Sequence, residues 1–367
     1  MTRRGHRWVL ITAAAVLFVV VLSAVVTNGA RETSPSAPEE ATGEGAPELT
    51  VDGNLLRYPA GDRFLLRGVT AYLMPFYATD GRPDEGLRWT AGRNFENRAE
   101  IFESMRDHGI NTVRVPLARE AYDTDFYDLG GRDGYLARLA DIVDAAAEED
   151  LFVIFTWFDS LGMAETFPDR YREVFPMMRE VREHLGEADN VLYEPFNEPH
   201  EVSWDDWEPA MIDTVTFWRE ELSYEGVLFL DTIEWSWSFD PEPADALLEA
   251  DEALLGSPNV VFANHRYANQ SQCFCDDELA AWEEEVGQHV SDYPIAGTEY
   301  GYYNHEGPPV PRWNTELFRH LRAKEADGFN GTAAFVWDWN DWNDMTEGDM
   351  VTLNAHGRIF ADEVLRP

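Results

Sequence analysis

Two glutamates, each at the end of an apolar run, are the residues of this chain best suited to do chemistry. Glu198 follows Val191-Leu-Tyr-Glu-Pro-Phe-Asn, and Glu299 follows Pro294-Ile-Ala-Gly-Thr. If both runs are strands, two carboxyl groups are delivered by the ends of different strands. A protonated carboxyl beside an ionised one is the arrangement that acid-assisted cleavage of a sugar acetal requires.

Other side chains that could bind or react also stand at the ends of apolar runs. Arg114 lies between valines, where an unpaired guanidinium would be costly, so we expect it to meet a carboxylate. The further candidates are Asn197, which directly precedes Glu198, then His265, Tyr267 and Trp337. These residues converge only if the runs lie side by side in one sheet.

Apolar, strand-like runs alternate with segments of helical periodicity from residue 48 onwards. The runs are rich in Val, Ile, Phe and Leu, which is typical of parallel strands buried on both faces. Eight such strands with intervening helices predict an α/β fold, a single closed (β/α)₈ or TIM barrel, in which reactive groups lie at the carboxyl ends of the strands. A hairpin around Val51-Asp-Gly-Asn54 precedes the first strand. The predicted strands cover 64–72, 110–116, 151–157, 190–196, 227–233, 259–264, 294–299 and 332–338.

The order of these residues resembles glycoside hydrolase family 5, the cellulase-type retaining glycosidases, over about residues 48–350. A wider clan of barrel glycosidases shares the motif Asn197-Glu198-Pro199. The resemblance is narrowed to family 5 by Arg114, His265-x-Tyr267 and Glu299, in this order. It implies a retaining hydrolase that acts on β-glycosidic bonds of a polysaccharide or oligosaccharide and needs no cofactor.

The resemblance also implies a role for each residue. Glu198 would be the acid/base, with its pKa raised by partial burial and by the charge of Glu299. Glu299 would be the nucleophile, held ionised by Arg114 and by the Tyr267 hydroxyl. The remaining roles would be a hydrogen bond to the sugar 2-hydroxyl from Asn197, a sugar-stacking face from Trp337, and binding or orientation near the same subsite by His265.

One departure from the family pattern bears on the substrate. A histidine commonly ends the third strand of the family, and Phe158 stands at that position here. Trp157 or Asp159 could serve instead, and the usual cellulose or mannan preference is in doubt. This departure supports one alternative, a carbohydrate-binding barrel that has lost turnover. A second alternative, a transglycosylase that remodels surface glycans, would share every residue named here and differ in how well water is excluded.

The charge of the chain excludes several classes of partner. The formal net charge is −41, from 69 acidic and 28 basic residues, and Lys324 is the sole lysine. Such a chain repels nucleic acid and anionic lipid, and its dispersed acidity indicates a protein kept soluble in concentrated salt. The two cysteines, Cys273 and Cys275, cannot assemble a metal site, and the run 338–344 lacks the glycine and distal glutamate of a calcium loop. We therefore predict no metal.

The first residues read as an export segment. Three arginines within residues 3–7 precede nineteen largely apolar residues, Trp8 to Val26, so residues 1–30 form a membrane anchor or a signal segment. The basic flank leaves the rest of the chain outside the cell, either anchored or secreted. Residues 31–47 form a disordered linker and 48–367 the catalytic domain, expected to be monomeric. Asn269 and Asn330 fit the pattern for N-glycosylation.

Overall fold

Ten strands make up the β-structure of the described part of the chain. The structure, a computed structural model, describes residues 49–71, 74–75, 95–117, 119–123, 129–158, 170–269, 275–303, 311–334, 345–347 and 351–366. Strands β1 (Thr50–Asp52) and β2 (Leu55–Arg57) pair in antiparallel register, which is the predicted hairpin. The other eight strands form a closed barrel.

All eight predicted barrel strands are present, and the strands that pair are parallel. They are β3 (Leu66–Thr70), β4 (Thr112–Leu117), β5 (Phe152–Trp157), β6 (Val191–Glu194), β7 (Leu228–Asp231), β8 (Val260–Asn269), β9 (Ile295–Tyr303) and β10 (Gly331–Ala334). Neighbours in the barrel follow the chain order, and β10 closes it against β3. The predicted (β/α)₈ barrel is therefore confirmed.

Strands β8 and β9 run several residues beyond their predicted ends. Their pairing continues from Phe262↔Ile295 to Asn269↔Tyr303, with an irregularity between Asn264 and His265. We predicted that each strand ends where its run of apolar residues ends. The backbone pairing of β8 with β9 instead continues through the residues that follow. The two strands therefore carry His265, Tyr267 and Glu299 within regular structure.

Helices connect the strands and form the outer layer. The helix Pro241–Leu255 shows why they begin and end where they do. Asp240 accepts a hydrogen bond from the Glu242 N–H at 3.0 Å, and Gly256 closes the helix with a left-handed φ of 85°. The α-helices are Arg98–Asp107, Arg119–Asp123, Gly131–Ala147, Phe175–Leu185, Trp204–Thr216, Pro241–Leu255, Cys275–Glu285, Pro311–Lys324 and Ala355–Phe360, with short 3₁₀ or π turns at Tyr171–Val174, Phe217–Glu221, Gly287–His289, Glu325–Asp327 and Ala361–Leu365. The segment Ile233–Ser236 is a turn with positive φ at Glu234, Trp235 and Ser236.

Alternate residues of each barrel strand serve two different cores. In β5, Val153 and Phe155 pack outward against the helices, whereas Phe152 and Ile154 belong to a cluster that fills the barrel interior. Toward the carboxyl ends, the inward positions become polar and stay buried: Arg114, Thr156, Glu194 and Asp231. The apolar filling thus stops where a polar site begins.

Asn330 joins the hairpin to the barrel and is fully buried. Its Oδ1 accepts the Leu56 N–H at 3.0 Å, and its Nδ2 donates to the Asn54 carbonyl at 2.8 Å. The folded barrel therefore has no room for a glycan on Asn330, although its sequence fits the acceptor pattern. The side chain of the second candidate, Asn269, lies outside the described residues.

No helix among the described residues has both the length and the apolar character needed to cross a membrane. The predicted anchor or signal segment (1–30) and linker (31–47) precede the first described residue. Both, together with the domain boundary at 48, stay predictions.

Candidate active site

Arg114 is the centre of the polar site at the carboxyl end of the barrel. It is 1 % exposed and extends from β4 into the interior. Its Nε donates to Glu194 Oε2 at 2.5 Å, its Nη1 to Glu299 Oε2 at 2.7 Å, and its Nη2 to Asn197 Oδ1 at 2.5 Å. Burial alone would lower the pKa of Arg114, but Glu194 and Glu299 outweigh it and raise the pKa. The guanidinium therefore stays charged and ties β4 to β9 and to the end of β6.

Glu299 lies on β9 with both carboxyl oxygens held. Tyr267 donates its hydroxyl to Oε1 at 2.5 Å, and Arg114 donates to Oε2. These are the two contacts that the resemblance implied for this residue. Burial raises the pKa of Glu299, while His265, Arg114 and the Tyr267 hydrogen bond act in the opposite direction. The two hydrogen bonds fix the carboxyl group in place, and only 3 % of the residue is exposed.

Glu198 follows β6 in an uncommon backbone conformation. Its φ is 51°, in the left-handed region that residues with a Cβ seldom adopt. Its side chain is 20 % exposed, and one of its oxygens lies within 4.8 Å of one of Glu299. Burial raises the pKa of Glu198 to about 7, helped by Glu194 and opposed by Arg114 and His200. From the sequence we expected the charge of Glu299 to assist. Glu194 raises the pKa of Glu198, and the repulsion between Glu198 and Glu299 raises the pKa of Glu299.

His265 connects Glu198 to the buried carboxylates. Its Nδ1 lies 2.9 Å from Glu198 Oε1 and its Nε2 lies 2.9 Å from Thr298 Oγ1, while the Thr298 hydroxyl donates to Glu194 Oε1 at 3.0 Å. Burial lowers the pKa of His265 to about 4, so at neutral pH the ring carries one N–H. Since the single hydroxyl hydrogen of Thr298 goes to Glu194, Nε2 donates to Thr298 and Nδ1 accepts. The partner that fits an accepting Nδ1 is the protonated form of Glu198.

Three buried polar residues of this site were missed from the sequence. Glu194 and Asp231 are 0 % exposed, as is Thr298, and the Glu194 and Asp231 carboxyl groups are hydrogen-bonded to each other. A charged residue within an apolar strand was the signal that identified Arg114. The same signal, applied to Val191-Leu-Tyr-Glu and to Leu228-Phe-Leu-Asp, would have found Glu194 and Asp231.

The end of β5 corrects one expectation. Trp157 packs outward, with its ring 5.8 Å from that of Trp218 and 6.1 Å from that of Tyr193, and it is 2 % exposed. It cannot take the place of a strand-end histidine, because the alternation of the strand directs it into the helical layer. Thr156 faces the site, 3.3 Å from Arg114 Nη2. Phe158 directly follows the strand and is half-buried, and Asp159 lies outside the described residues.

The aromatic residues near the site divide into packing and exposed groups. Trp207 is fully buried and donates its indole N–H to the Asp231 carbonyl at 2.9 Å, so it is structural. Trp235 is 42 % exposed, and its ring stacks on His200 at 4.7 Å with an interplanar angle of 9°. Trp337, the predicted sugar-stacking residue, lies outside the described residues.

Two sets of three side chains bring potential metal-ligand atoms within 4.8 Å of one another: Glu194, Asp231 and His265, and then Glu198, His265 and Glu299. The His265 ring nitrogens bond Thr298 and Glu198, and the Arg114 guanidinium bonds Glu194 and Glu299. A second cation beside this guanidinium would be repelled. These side chains are therefore better suited to bind and transfer protons than to ligate a metal ion.

A protein-family model and individual endoglucanases resemble this chain in sequence. A family model described as cellulase (glycosyl hydrolase family 5) matches residues 76–343. The chain is 25 % identical over 287 residues to endoglucanase A of Butyrivibrio fibrisolvens, covering 76 % of this chain and 56 % of that protein. It is 26 % identical over 184 residues to endoglucanase E-5 of Thermobifida fusca, covering 50 % and 37 %. The chain thus spans about half of these relatives' length or less.

Solved structures agree with the fold. A β-glucanase from Saccharophagus degradans in complex with cellotetraose superposes with a TM-score of 0.63 at 19 % identity, over 90 % of this chain and 96 % of that one. A β-mannanase from Streptomyces thermolilacinus with mannohexaose gives a TM-score of 0.60 at 20 % identity, over 87 % and 97 %. These similarities support the barrel. Because the family model covers more than half of the residues, the chain belongs to the cellulase family, glycosyl hydrolase family 5.

Proposed function

We propose that this protein is a retaining glycoside hydrolase that cleaves β-glycosidic bonds of a polysaccharide or oligosaccharide by double displacement. The observation that carries the proposal is the pair of carboxyl groups at the barrel mouth. One oxygen of Glu198 lies within 4.8 Å of one oxygen of Glu299. Retaining enzymes hold the two groups about 5–5.5 Å apart, whereas inverting enzymes leave about 6.5–9.5 Å for a water molecule.

The environments of the two carboxyl groups suit different steps. In the first step, the Glu299 carboxylate attacks the anomeric carbon while the Glu198 acid protonates the departing glycosidic oxygen. The bond to the leaving sugar breaks and a glycosyl ester forms. In the second step, the Glu198 carboxylate takes a proton from water, whose oxygen attacks the anomeric carbon and releases Glu299. A group with a pKa of about 7 can both give and take that proton near neutral pH.

The neighbouring residues support this division of roles. Asn197 Oδ1 accepts a hydrogen bond from Arg114, which orients its amide nitrogen as a donor for the sugar 2-hydroxyl. His265, as a neutral ring, accepts from Glu198 and keeps the acid proton in place. The role of Trp337 as a stacking face for the reacting sugar stays a prediction.

A β-linked glucan is the substrate we propose. Relatives of the chain carry the name endoglucanase, and one structural neighbour was solved with cellotetraose. A β-mannanase solved with mannohexaose is nearly as similar in fold, so mannan is the second substrate to test. Phe158, at the end of the third barrel strand β5, offers no hydrogen-bonding group where the family commonly has a histidine. Rates on glucan and mannan oligosaccharides would distinguish the two substrates.

We further propose that the protein acts outside the cell, anchored by residues 1–30 or secreted, as a monomer in concentrated salt. The basic flank before an apolar run of nineteen residues and the net charge of −41 support this proposal. Fractionation of the producing cells, with detection of the chain in membrane and medium, would test the location. Recovery from the cytoplasm alone would contradict it.

The decisive experiment follows the stereochemistry of the reaction. The purified protein is incubated with β-glucan and β-mannan oligosaccharides, and NMR identifies the first-formed anomer. We expect the β-anomer, and we expect a 2-deoxy-2-fluoro-β-glycoside to label Glu299, as read by peptide mass. The α-anomer, or a label on another residue, contradicts double displacement through Glu299. Sugar binding without turnover would favour the binding-protein alternative, and transfer products in excess of hydrolysis would favour the transglycosylase.

A further inference from the structure

Asp231 is a fully buried carboxyl group for which the proposed mechanism has no role. It is the last residue of β7, and its carbonyl accepts the Trp207 indole N–H at 2.9 Å. Its Oδ2 accepts the backbone N–H of Glu198 at 2.6 Å. Among the residues that the structure describes, no donor reaches its Oδ1, although this oxygen is buried. A buried carboxylate oxygen without a donor destabilises the folded state unless it binds a proton.

Glu194 is the neighbour that can pair with a protonated Oδ1 of Asp231. The Asp231 and Glu194 carboxyl groups are in hydrogen-bond contact, and two carboxyl groups can bond to each other only if one of them carries a proton. Glu194 already accepts from Arg114 Nε at 2.5 Å and from the Thr298 hydroxyl at 3.0 Å. Glu194 is therefore the ionised partner and Asp231 the protonated one, with Oδ1 as the hydroxyl.

We propose that Asp231 is a positioning residue for Glu198: as a neutral carboxylic acid, it donates Oδ1–H to Glu194 and accepts the Glu198 N–H through Oδ2. The two bonds anchor the left-handed backbone of Glu198, φ 51°, to the ionic network around Arg114. The functional part of this inference rests on the proposed role of Glu198 as the acid/base.

Burial and the surrounding charges also favour a protonated Asp231. Burial raises the pKa of Asp231 well above its usual range, and the adjacent Glu194 adds to this effect. Burial would also raise the pKa of Glu194, but Arg114 and the Asp231 hydrogen bond lower it. Several titratable and charged groups surround Asp231. Glu194 lies on β6, and Glu198 lies on the segment that follows it. His265 on β8 has its Nε2 3.7 Å from Asp231 Oδ2, and Arg114 on β4 separates Asp231 from Glu299 on β9.

A neutral Asp231 matters for the acid form of Glu198. An ionised Asp231 would stabilise a charged His265 ring, which would donate from Nδ1 to Glu198 and favour the Glu198 carboxylate. With Asp231 neutral, the ring stays neutral and accepts from the Glu198 hydroxyl. The buried proton on Asp231 thus helps to keep the exchangeable proton on Glu198.

A stability experiment tests the protonation without any substrate. At pH 7 the unfolded Asp231 is ionised, so folding must take up a proton and stability falls as pH rises above about 4. Asp231→Asn mimics the protonated acid and removes this penalty. We expect the thermal midpoint of the variant, relative to wild type, to rise between pH 4 and pH 7 by about 2 °C or more.

Asp251 is the matched control, because it is equally buried but accepts from Arg219 Nε at 2.7 Å and from the Asn259 N–H at 2.7 Å. Because its carboxyl group pairs with the buried guanidinium of Arg219, Asp251→Asn should lower the midpoint. An Asp231→Asn variant that behaves like Asp251→Asn would show that Asp231 is ionised and would overturn the inference.

Kinetics test the positioning. We expect Asp231→Ala to lower kcat by about tenfold or more, because Glu198 loses its backbone anchor, and Asp231→Asn to restore most of that loss with the basic limb of the pH–rate profile unmoved. Wild-type kcat in Asp231→Ala, or a basic limb displaced by about one pH unit in Asp231→Asn, would refute the positioning role. If the wild-type protein turns over no glycoside, the proposed function fails, while the stability comparison still decides the protonation of Asp231.

Discussion

At the scale of single residues, the site holds two glutamates in contrasting surroundings. Glu299 has both oxygens bonded, to Arg114 and Tyr267, and Glu198 is the more exposed of the two, with its pKa raised to about 7 by burial. This contrast is what an enzyme needs to run acid and nucleophile chemistry within one pocket. It also determines how the reaction rate should respond to pH, to the leaving group and to loss of the nucleophile.

The first concerns pH. In the proposed mechanism Glu198 is protonated for the first step, so kcat/KM should fall as pH rises through about 7, near the pKa of its carboxyl group. On the acid side, kcat/KM should fall as Glu299 becomes protonated. Initial rates from pH 4 to pH 9 on an unactivated oligosaccharide measure both limbs. A profile that stays flat to pH 9 would contradict a neutral-pH acid.

The second concerns the leaving group. Glu198→Ala should lower kcat/KM by about 10²–10⁴-fold on an oligosaccharide, whose leaving oxygen needs a proton. On a dinitrophenyl glycoside, whose leaving group departs without protonation, the loss should be much smaller. Comparison of the two substrates on one preparation of the variant separates loss of the acid from general damage. An equal loss on both substrates would argue against Glu198 as the acid.

The third concerns the nucleophile. Glu299→Gln is nearly isosteric and should lower kcat by at least about a thousandfold, because an amide cannot form the glycosyl ester. Glu187→Gln is the control, since the side chain of Glu187 is 93 % exposed and lies apart from the described site. Thermal unfolding of both variants should match wild type within a few degrees. Substantial turnover by Glu299→Gln would place the nucleophile elsewhere.

At the scale of elements, Arg114 fastens strands that are distant in sequence. From β4 it bonds Glu194 on β6 and Glu299 on β9. Arg114→Met would leave both carboxylates buried without their cation. We expect a loss of about 3–5 kcal/mol in the free energy of unfolding at pH 7, measured in urea, and a smaller loss at pH 4, where the carboxyl groups can protonate.

A surface ion pair provides the comparison. Arg179 bonds Glu221 at 2.5 Å, with side chains 38 % and 58 % exposed, so Arg179→Met should change stability by less than about 1 kcal/mol. If the two arginine variants lose similar stability, the buried network does not stabilise the barrel in the way described.

The elements themselves were largely predictable. Runs of Val, Ile, Phe and Leu identified all eight barrel strands, and Asp-Gly-Asn identified the hairpin turn, because burial and turn geometry are local requirements. The ends of β8 and β9 were wrong by several residues, since backbone pairing continues through polar residues. Glu194 and Asp231 carry the same local signal as Arg114, a charged residue within an apolar strand, and were missed. What the local pattern does not reveal is which partners they meet, because those partners lie far along the chain.

At the scale of the whole molecule, the net negative charge of the chain makes its stability depend on salt. The 69 acidic residues exceed the 28 basic ones by 41, so self-repulsion opposes the folded state at low salt. Added salt shortens the range of that repulsion, from a Debye length of about 30 Å at 0.01 M to about 3 Å at 1 M. We expect the thermal midpoint to rise by about 4 °C or more between these concentrations of NaCl.

A charge-reducing condition distinguishes screening from other effects of salt. At pH 4 many carboxyl groups are protonated, so the same increase in NaCl should raise the midpoint less than at pH 7. A midpoint that falls with salt at pH 7, or an identical response at both pH values, would contradict the electrostatic explanation.

The buried position of Asn330 has a practical consequence for producing the protein. Eukaryotic secretory hosts attach oligosaccharides while the chain is still emerging, before the last barrel strand docks, and Asn330-Gly-Thr332 would be recognised at that moment. A glycan on Nδ2 of Asn330 would not fit where this buried nitrogen lies 2.8 Å from the Asn54 carbonyl, so barrel closure would be obstructed. Yeast or insect-cell expression would therefore yield a glycoform that cannot mature, whereas a bacterial host avoids the competition altogether.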